Sequence, residues 1–273
     1  MTHPIAIFDS GFGGLTVVKE LMERLPGEDL IYFGDTARVP FGTKSAQTVI
    51  RFSLEIVDFL AKTNPKMIVV ACNTASATAL DILRRRVPVP VLGVIEPGAQ
   101  AAAAASQTGH IGVIATEATI RSQAYKRAIV NIRPGAFVHA TACPLLVPIV
   151  EEGRPSEDPV VHHAVQGYLR PLKALDVDAL ILGCTHYPLL QGAIAAEMGP
   201  GVSIINSARE MARSVADRLA QDGLAEPAGR RAAYRFFASD NPDRFAVIGQ
   251  RFLGHVLNEV DLAVVDECDL LPG

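Results

Sequence analysis

The sequence predicts an α/β protein made of two similar doubly wound domains with mainly parallel sheets, and three observations carry that prediction. Short apolar runs rich in β-branched residues recur along the 273 residues, segments of helical periodicity separate them, and strand-to-turn segments of the first half reappear in the second. Continuous apolar runs bounded by helices are how parallel strands covered on both faces read.

The first run, Ile5 to Phe8, ends at Asp9-Ser10-Gly11-Phe12-Gly13-Gly14 and opens a helix through Leu15, Val18, Leu21 and Met22. Glycines at such a turn let backbone N–H groups approach an anion. It is not a dinucleotide fingerprint, because Thr16 stands where the third glycine belongs and Asp9 would repel a pyrophosphate. At a strand's C-terminal end Asp9 suits an ammonium group or a catalytic neighbour, its plainer role being a helix N-cap. The second run, Leu30 to Phe33, leads into a loop carrying Asp35, of a length suited to covering a ligand; the plainer role of Asp35 is a turn pairing with Arg38. Ala46 to Thr63 reads as an amphipathic helix. Met67 to Ala71 runs into Cys72-Asn73-Thr74, and Val89 to Val94 follows Arg84-Arg85-Arg86, cations placed to complement a helix C-terminus. Ala101 to Ala105 is helical by propensity. Further strands are expected at Ile111 to Ala115, Ala136 to Ala140, Ala179 to Gly183, Val202 to Ile205 and Tyr234 to Ala238, with a helix over Ser207 to Asp222.

The halves can be laid on each other. The segment from Pro4 resembles that from His110, and the segment from Met67 through Cys72-Asn73-Thr74 resembles that from Ala179 through Cys184-Thr185-His186, at offsets of 106 residues (4 to 110) and 112 residues (67 to 179). Ile31 to Thr36 against Val138 to Cys143 forms a third pair, which favours a duplicated unit over generic strand-to-helix turns. Cys72 and Cys184 then hold equivalent positions. Halves related by a pseudo-twofold axis and meeting at their strand ends would bring both into one cleft.

Composition narrows the function. Apolar residues make up 49% of the chain, charged residues 20%, and the net charge is -4 without a long basic stretch, so nucleic acid is not an expected partner. No apolar run approaches a membrane span, and the N-terminus lacks a secretory pattern, so a cytoplasmic protein is expected. Of the four cysteines, Cys72, Cys143, Cys184 and Cys268, none forms a CxxC pair, so a disulfide framework is not expected. No zinc spacing, GxSxG elbow or strand-end lysine suited to pyridoxal is present, so neither a metal nor a cofactor is expected.

What remains is the cysteine pair. Each follows an apolar strand and precedes an expected helix start, where unpaired N–H groups favour a thiolate, and each is followed by small polar residues that can hold a carboxylate. A lone cysteine there is more often packing; a matched pair points to chemistry. Inverting a stereocentre needs a base on one face and an acid on the other, which two thiols supply.

Together these motifs resemble the glutamate racemases, within the wider aspartate/glutamate racemase family. The matching segments are Asp9 to Gly14, Tyr32 to Arg38, Ala71 to Ala75, Ile111 to Thr116 with Thr119, Cys143-Pro144 with Glu151, and Gly183 to Pro188. The resemblance implies cofactor-independent racemisation of L- and D-glutamate, with D-glutamate feeding peptidoglycan, and a homodimer. It implies two α/β domains, residues 1–95 with 207–273 and an inserted 96–206. It implies Cys72 and Cys184 as acid and base, Asp9 and His186 as groups assisting them and touching substrate, and Asp35 and Glu151 as supporting acids. Ser10, Pro40, Phe41, Gly42, Asn73, Thr74, Thr116 and Thr185 then line the substrate site. One departure is Phe41, where the family commonly has tyrosine, so a hydroxyl contact is lost. Alternatives are a racemase acting on aspartate or another small amino-acid derivative, and a non-catalytic amino-acid-binding protein.

Overall fold

The computed structural model describes residues 3–227, 229–257 and 259–265, so Cys268 lies outside the described residues. Ten strands among them form two sheets, and every pairing is parallel. In chain order, β1 (Ile5–Asp9), β2 (Leu30–Gly34), β3 (Met67–Val70) and β4 (Val91–Gly93) belong to the first sheet. The second sheet takes β5 (His110–Ala115), β6 (Phe137–Ala142), β7 (Ala179–Gly183) and β8 (Ser203–Asn206). The chain then returns to the first with β9 (Tyr234–Ala238) and β10 (Asp261–Leu262). Helices connect them: α1 (Leu15–Arg24), α2 (Ala46–Ala61), α3 (Asn73–Arg86), α4 (Ile95–Ala105), α5 (Glu117–Ser122), α6 (Ala124–Ile132), α7 (Leu146–Glu151), α8 (Pro159–Lys173), α9 (Gln191–Met198), α10 (Ser207–Asp222) and α11 (Pro242–Leu253).

The expected duplication is visible in the strand order. The first sheet runs β10-β9-β2-β1-β3-β4 and the second β6-β5-β7-β8, so β2-β1-β3-β4 and β6-β5-β7-β8 are the same arrangement. Ile5 pairs with Met67 as Ile111 pairs with Ala179, matching two of the sequence alignments. The third slips by one residue, since Ile5 pairs with Leu30 whereas Ile111 pairs with Val138, which makes Leu30 and not Ile31 the counterpart of Val138.

Central strands are buried on both faces, as their unbroken apolar runs require: all of β1, β2, β3 and β7 is buried. Strand ends differ where hydrophobicity did not decide them. The run from Val89 shortens to Val91–Gly93 because Pro90 has no N–H to give a ladder, although its carbonyl accepts from Ile68 N at 2.9 Å. β6 extends to Ala142 because pairing with β5 continues to Ala115. β10, two exposed residues beside β9 at the start of the apolar stretch Leu262 to Val265, adds to the strands expected from the sequence. Among the described residues no helix is long and apolar enough to cross a membrane.

Candidate active site

Cys72 ends the turn after β3 with extended backbone, and its Sγ caps α3 by accepting from Ala75 N at 3.4 Å. The expected helix start is therefore present. Its topological counterpart differs: after Cys184 the chain makes a short 3₁₀ turn, Tyr187–Leu190, before α9, so no α-helix begins behind this thiol. Pro188 at the start of the turn and the Tyr187 hydroxyl, donating to Cys143 O at 2.8 Å, hold that conformation.

The two thiols thus have different surroundings. Burial pushes Cys72 up to about 12, and the nearby Asp9 carboxylate adds to this, while the Ala75 N–H and Ser10 oppose it. The Cys72 thiol donates to Ser10 Oγ at 3.6 Å. Asp9 is itself buried beneath the turn; burial raises its pKa, and the His186 charge and N–H groups of Gly14, Gly11 and Ser10 resist the rise. Gly11 N donates to Asp9 Oδ2 at 3.1 Å, and Asp9 Oδ1 has no hydrogen-bond partner among the described residues.

On the opposite side Cys184 Sγ lies 3.8 Å from His186 Nδ1, and His186 Nε2 lies 3.0 Å from Glu151 Oε1. Burial alone would push the His186 pKa down, but hydrogen bonds to Cys184 and Glu151 outweigh it and hold the imidazole up at about 10. These partners favour the imidazolium form. Phe252 of α11 braces it edge-on at 5.1 Å. Gly13 is required below it, because a Cβ there would stand 2.5 Å from His186 Nδ1.

Between the thiols lies a cleft of about 680 Å³ lined by Ser10, Pro40, Phe41, Gly42, Cys72, Asn73, Thr74, Thr116, Cys184, Thr185 and His186. Asp9 and Glu151 stand behind this wall, reaching it through Cys72 and His186. Asp35 is not among the residues that line it. Its oxygens are taken by Arg38 Nε at 2.8 Å and Ser239 Oγ at 2.9 Å, so the turn pairing prevails. Arg38 also binds buried Glu55 and lies 4.1 Å over the Phe52 ring, which packs on Phe41. The Phe41 ring, 1% exposed, is thereby fixed as a wall of the cleft.

Sequence reasoning gave no role to Thr119, whose hydroxyl joins those of Thr74 and Thr116 at 3.2 and 3.0 Å, with Thr74 and Thr116 2.9 Å apart. Thr116 caps α5 by accepting from Thr119 N at 3.4 Å, and Thr119 stands among the segments that carry the family resemblance. Pro144, Val147 and Pro148 add an apolar wall that their apolar run did not reveal. Gly42 is needed where the loop meets this cluster: a Cβ would stand 2.7 Å from Thr116 Cβ.

Residues 14–215 match the profile of the Asp/Glu/Hydantoin racemases. The chain belongs to that family. Within it, the sequence is 52% identical over 256 residues to a glutamate racemase of Geobacter metallireducens, covering 94% of each chain. Among solved structures of this racemase family, a glutamate racemase from Bacillus anthracis matches with a TM-score of 0.90 at 41% identity, covering 97% of each chain. One from Francisella tularensis, crystallised in complex with D-glutamate, matches with a TM-score of 0.90 at 37% identity, covering 97% of this chain and 98% of its own. The α/β class and paired parallel sheets expected from the sequence are those of the racemase fold.

Proposed function

We propose that this protein interconverts L- and D-glutamate through proton transfers at the α-carbon by Cys72 and Cys184. The observation that carries the reading is that both thiols line one cleft, one beside a carboxylate and the other beside an imidazolium. The high relatedness to glutamate racemases supports glutamate as the substrate.

In one direction Cys184, as thiolate, removes the α-proton, and the C–H electron pair passes into the α-carboxylate as an enolate-like anion. Cys72 then gives its proton to the opposite face. A thiol held near 12 is still a far stronger acid than the amino acid's C–H, so the second transfer runs downhill. Cys72 is left as thiolate and Cys184 as thiol, ready for the reverse reaction. His186 supplies the positive charge that offsets the developing anion, and Glu151 keeps that imidazole protonated. The Asn73 amide and the Thr74, Thr116 and Thr185 hydroxyls hold the carboxylates, and the Phe41 and Val147 walls limit water.

The remaining expectations belong to this reading as proposals: an inserted domain at 96–206, a cytoplasmic homodimer, and D-glutamate supplied to peptidoglycan. The test is incubation of purified protein with L-glutamate in D2O, beside L-aspartate. Inversion of glutamate with α-deuteration supports the reading; preferential turnover of aspartate, or saturable glutamate binding without exchange, refutes it.

A further inference from the structure

Tyr125 belongs to α6, beside the second sheet, yet its hydroxyl ends at Asn73, the first residue of α3 beside the first sheet, donating to Oδ1 at 2.7 Å. Both residues are 3% exposed. The phenol is kept protonated, chiefly by burial and then by any charge on Cys184, so it retains its proton to donate. Its ring fits between two glycines: a Cβ on Gly183 would stand 3.1 Å from Cε2, and one on Gly98 would stand 3.3 Å from Cε1 and 3.4 Å from the hydroxyl.

The consequence falls on the other end of the amide. An asparagine presents an acceptor and a donor that exchange places if the amide turns over. With Oδ1 turned to Tyr125, the NH2 group points the other way, and Nδ2 is buried without a hydrogen-bond partner among the described residues. An unpaired buried donor costs about 1–3 kcal/mol, so it favours a ligand acceptor. Asn73 lines the cleft between the thiols.

We infer that Tyr125 is a positioning residue that locks the Asn73 amide with its NH2 available to a substrate carboxylate oxygen. Because the bond joins elements of the two sheet layers, bringing the layers together and orienting the donor are one event. The inference rests on the racemase reading above and adds a residue that does not line the cleft.

The test is a double-mutant cycle with Tyr125→Phe, Asn73→Ala and the double variant, reading KM and kcat for both enantiomers and, in parallel, Kd for D-glutamate by calorimetry. Tyr125→Phe keeps the ring between its glycines and removes only the hydroxyl. KM and Kd should rise about fivefold to tenfold, the loss of roughly one hydrogen bond, with kcat changed less than about twofold. In the Asn73→Ala background the same change should have no further effect, whereas a merely structural role would add its cost in both backgrounds. Gly98→Ala, which crowds the hydroxyl from the other side, should raise KM in the same direction and decides the matter should Tyr125→Phe not fold. An unchanged KM, or an equal fold-rise with and without Asn73, overturns the inference while leaving the racemase reading intact. Failure of the unsubstituted protein to invert glutamate would remove that reading, and the inference with it.

Discussion

Replacing Glu151 with glutamine tests how the cleft keeps a buried imidazole charged. In the folded protein His186 titrates at about 10 against an ordinary 6.5, although its burial favours the neutral form. The Glu151 carboxylate at 3.0 Å is one of the two partners that reverse the burial effect, the other being Cys184 at 3.8 Å. Glutamine preserves size and an acceptor oxygen but carries no charge, so a bond between two opposite charges becomes one from a charged donor to a neutral acceptor, a loss of about 1–2 kcal/mol. The Glu151 side chain is 23% exposed, which places the loss in the lower half of that range through solvent screening. At about 1.4 kcal/mol per unit this lowers the His186 pKa by roughly one unit. The sign follows: a group whose pKa falls gives up its proton earlier as pH rises, so the alkaline limb of kcat/KM moves toward acid by about one unit, with little change below about pH 7. The assay is kcat/KM in both directions from about pH 6 to about pH 10.5, with the His186 ring signal followed by NMR across the same range. An alkaline limb that stays in place, or a His186 signal titrating near 6.5 in the unsubstituted protein, refutes the reasoning.

Three further outcomes are expected. Cys72→Ala and Cys184→Ala should each lower racemisation about 1,000-fold, and the corresponding serine variants should retain α-hydrogen exchange preferentially on opposite enantiomers, measured by deuterium uptake. Gly42→Ala forces a carbon to within 2.7 Å of Thr116 Cβ and should raise KM about tenfold, equivalent to about 1.4 kcal/mol of displaced loop, with the melting temperature lowered by about 3–5 °C. Asp35→Asn weakens the pairing with Arg38, whose side chain is 20% exposed and keeps its ion pair with Glu55, at a cost of about 1 kcal/mol. Its melting temperature should fall by about 2–4 °C while kcat/KM stays within about twofold, because Asp35 does not line the cleft.

The duplicated α/β class was legible because buried parallel strands must be apolar throughout, and the runs at Ile5, Met67, Ile111 and Ala179 became β1, β3, β5 and β7. The short β10 was not, since a strand of two exposed residues is too brief to show a period. The cleft wall at Ser10, Gly42, Asn73, Thr74, Thr116 and Thr185 was legible through the resemblance to the glutamate racemases, and only Asn73, Thr74 and Thr185 also by their place behind the two cysteines. Tyr125 was invisible, being an aromatic in an amphipathic helix whose burial alone would account for it.

Two cysteines at matching points of a repeated strand-to-turn segment are a property of the chain order, and sequence was enough to pair them. Their inequality is not. Asp9, 63 residues before Cys72, and Glu151, 33 residues before Cys184 and acting through His186, meet the thiols only when the sheets are assembled. Whether an acid lies in a turn with arginine, as Asp35 does, or behind a histidine, as Glu151 does, depends on which elements pack together. Charge acts through space over a few ångströms, so the character of each site group was decided by tertiary contacts.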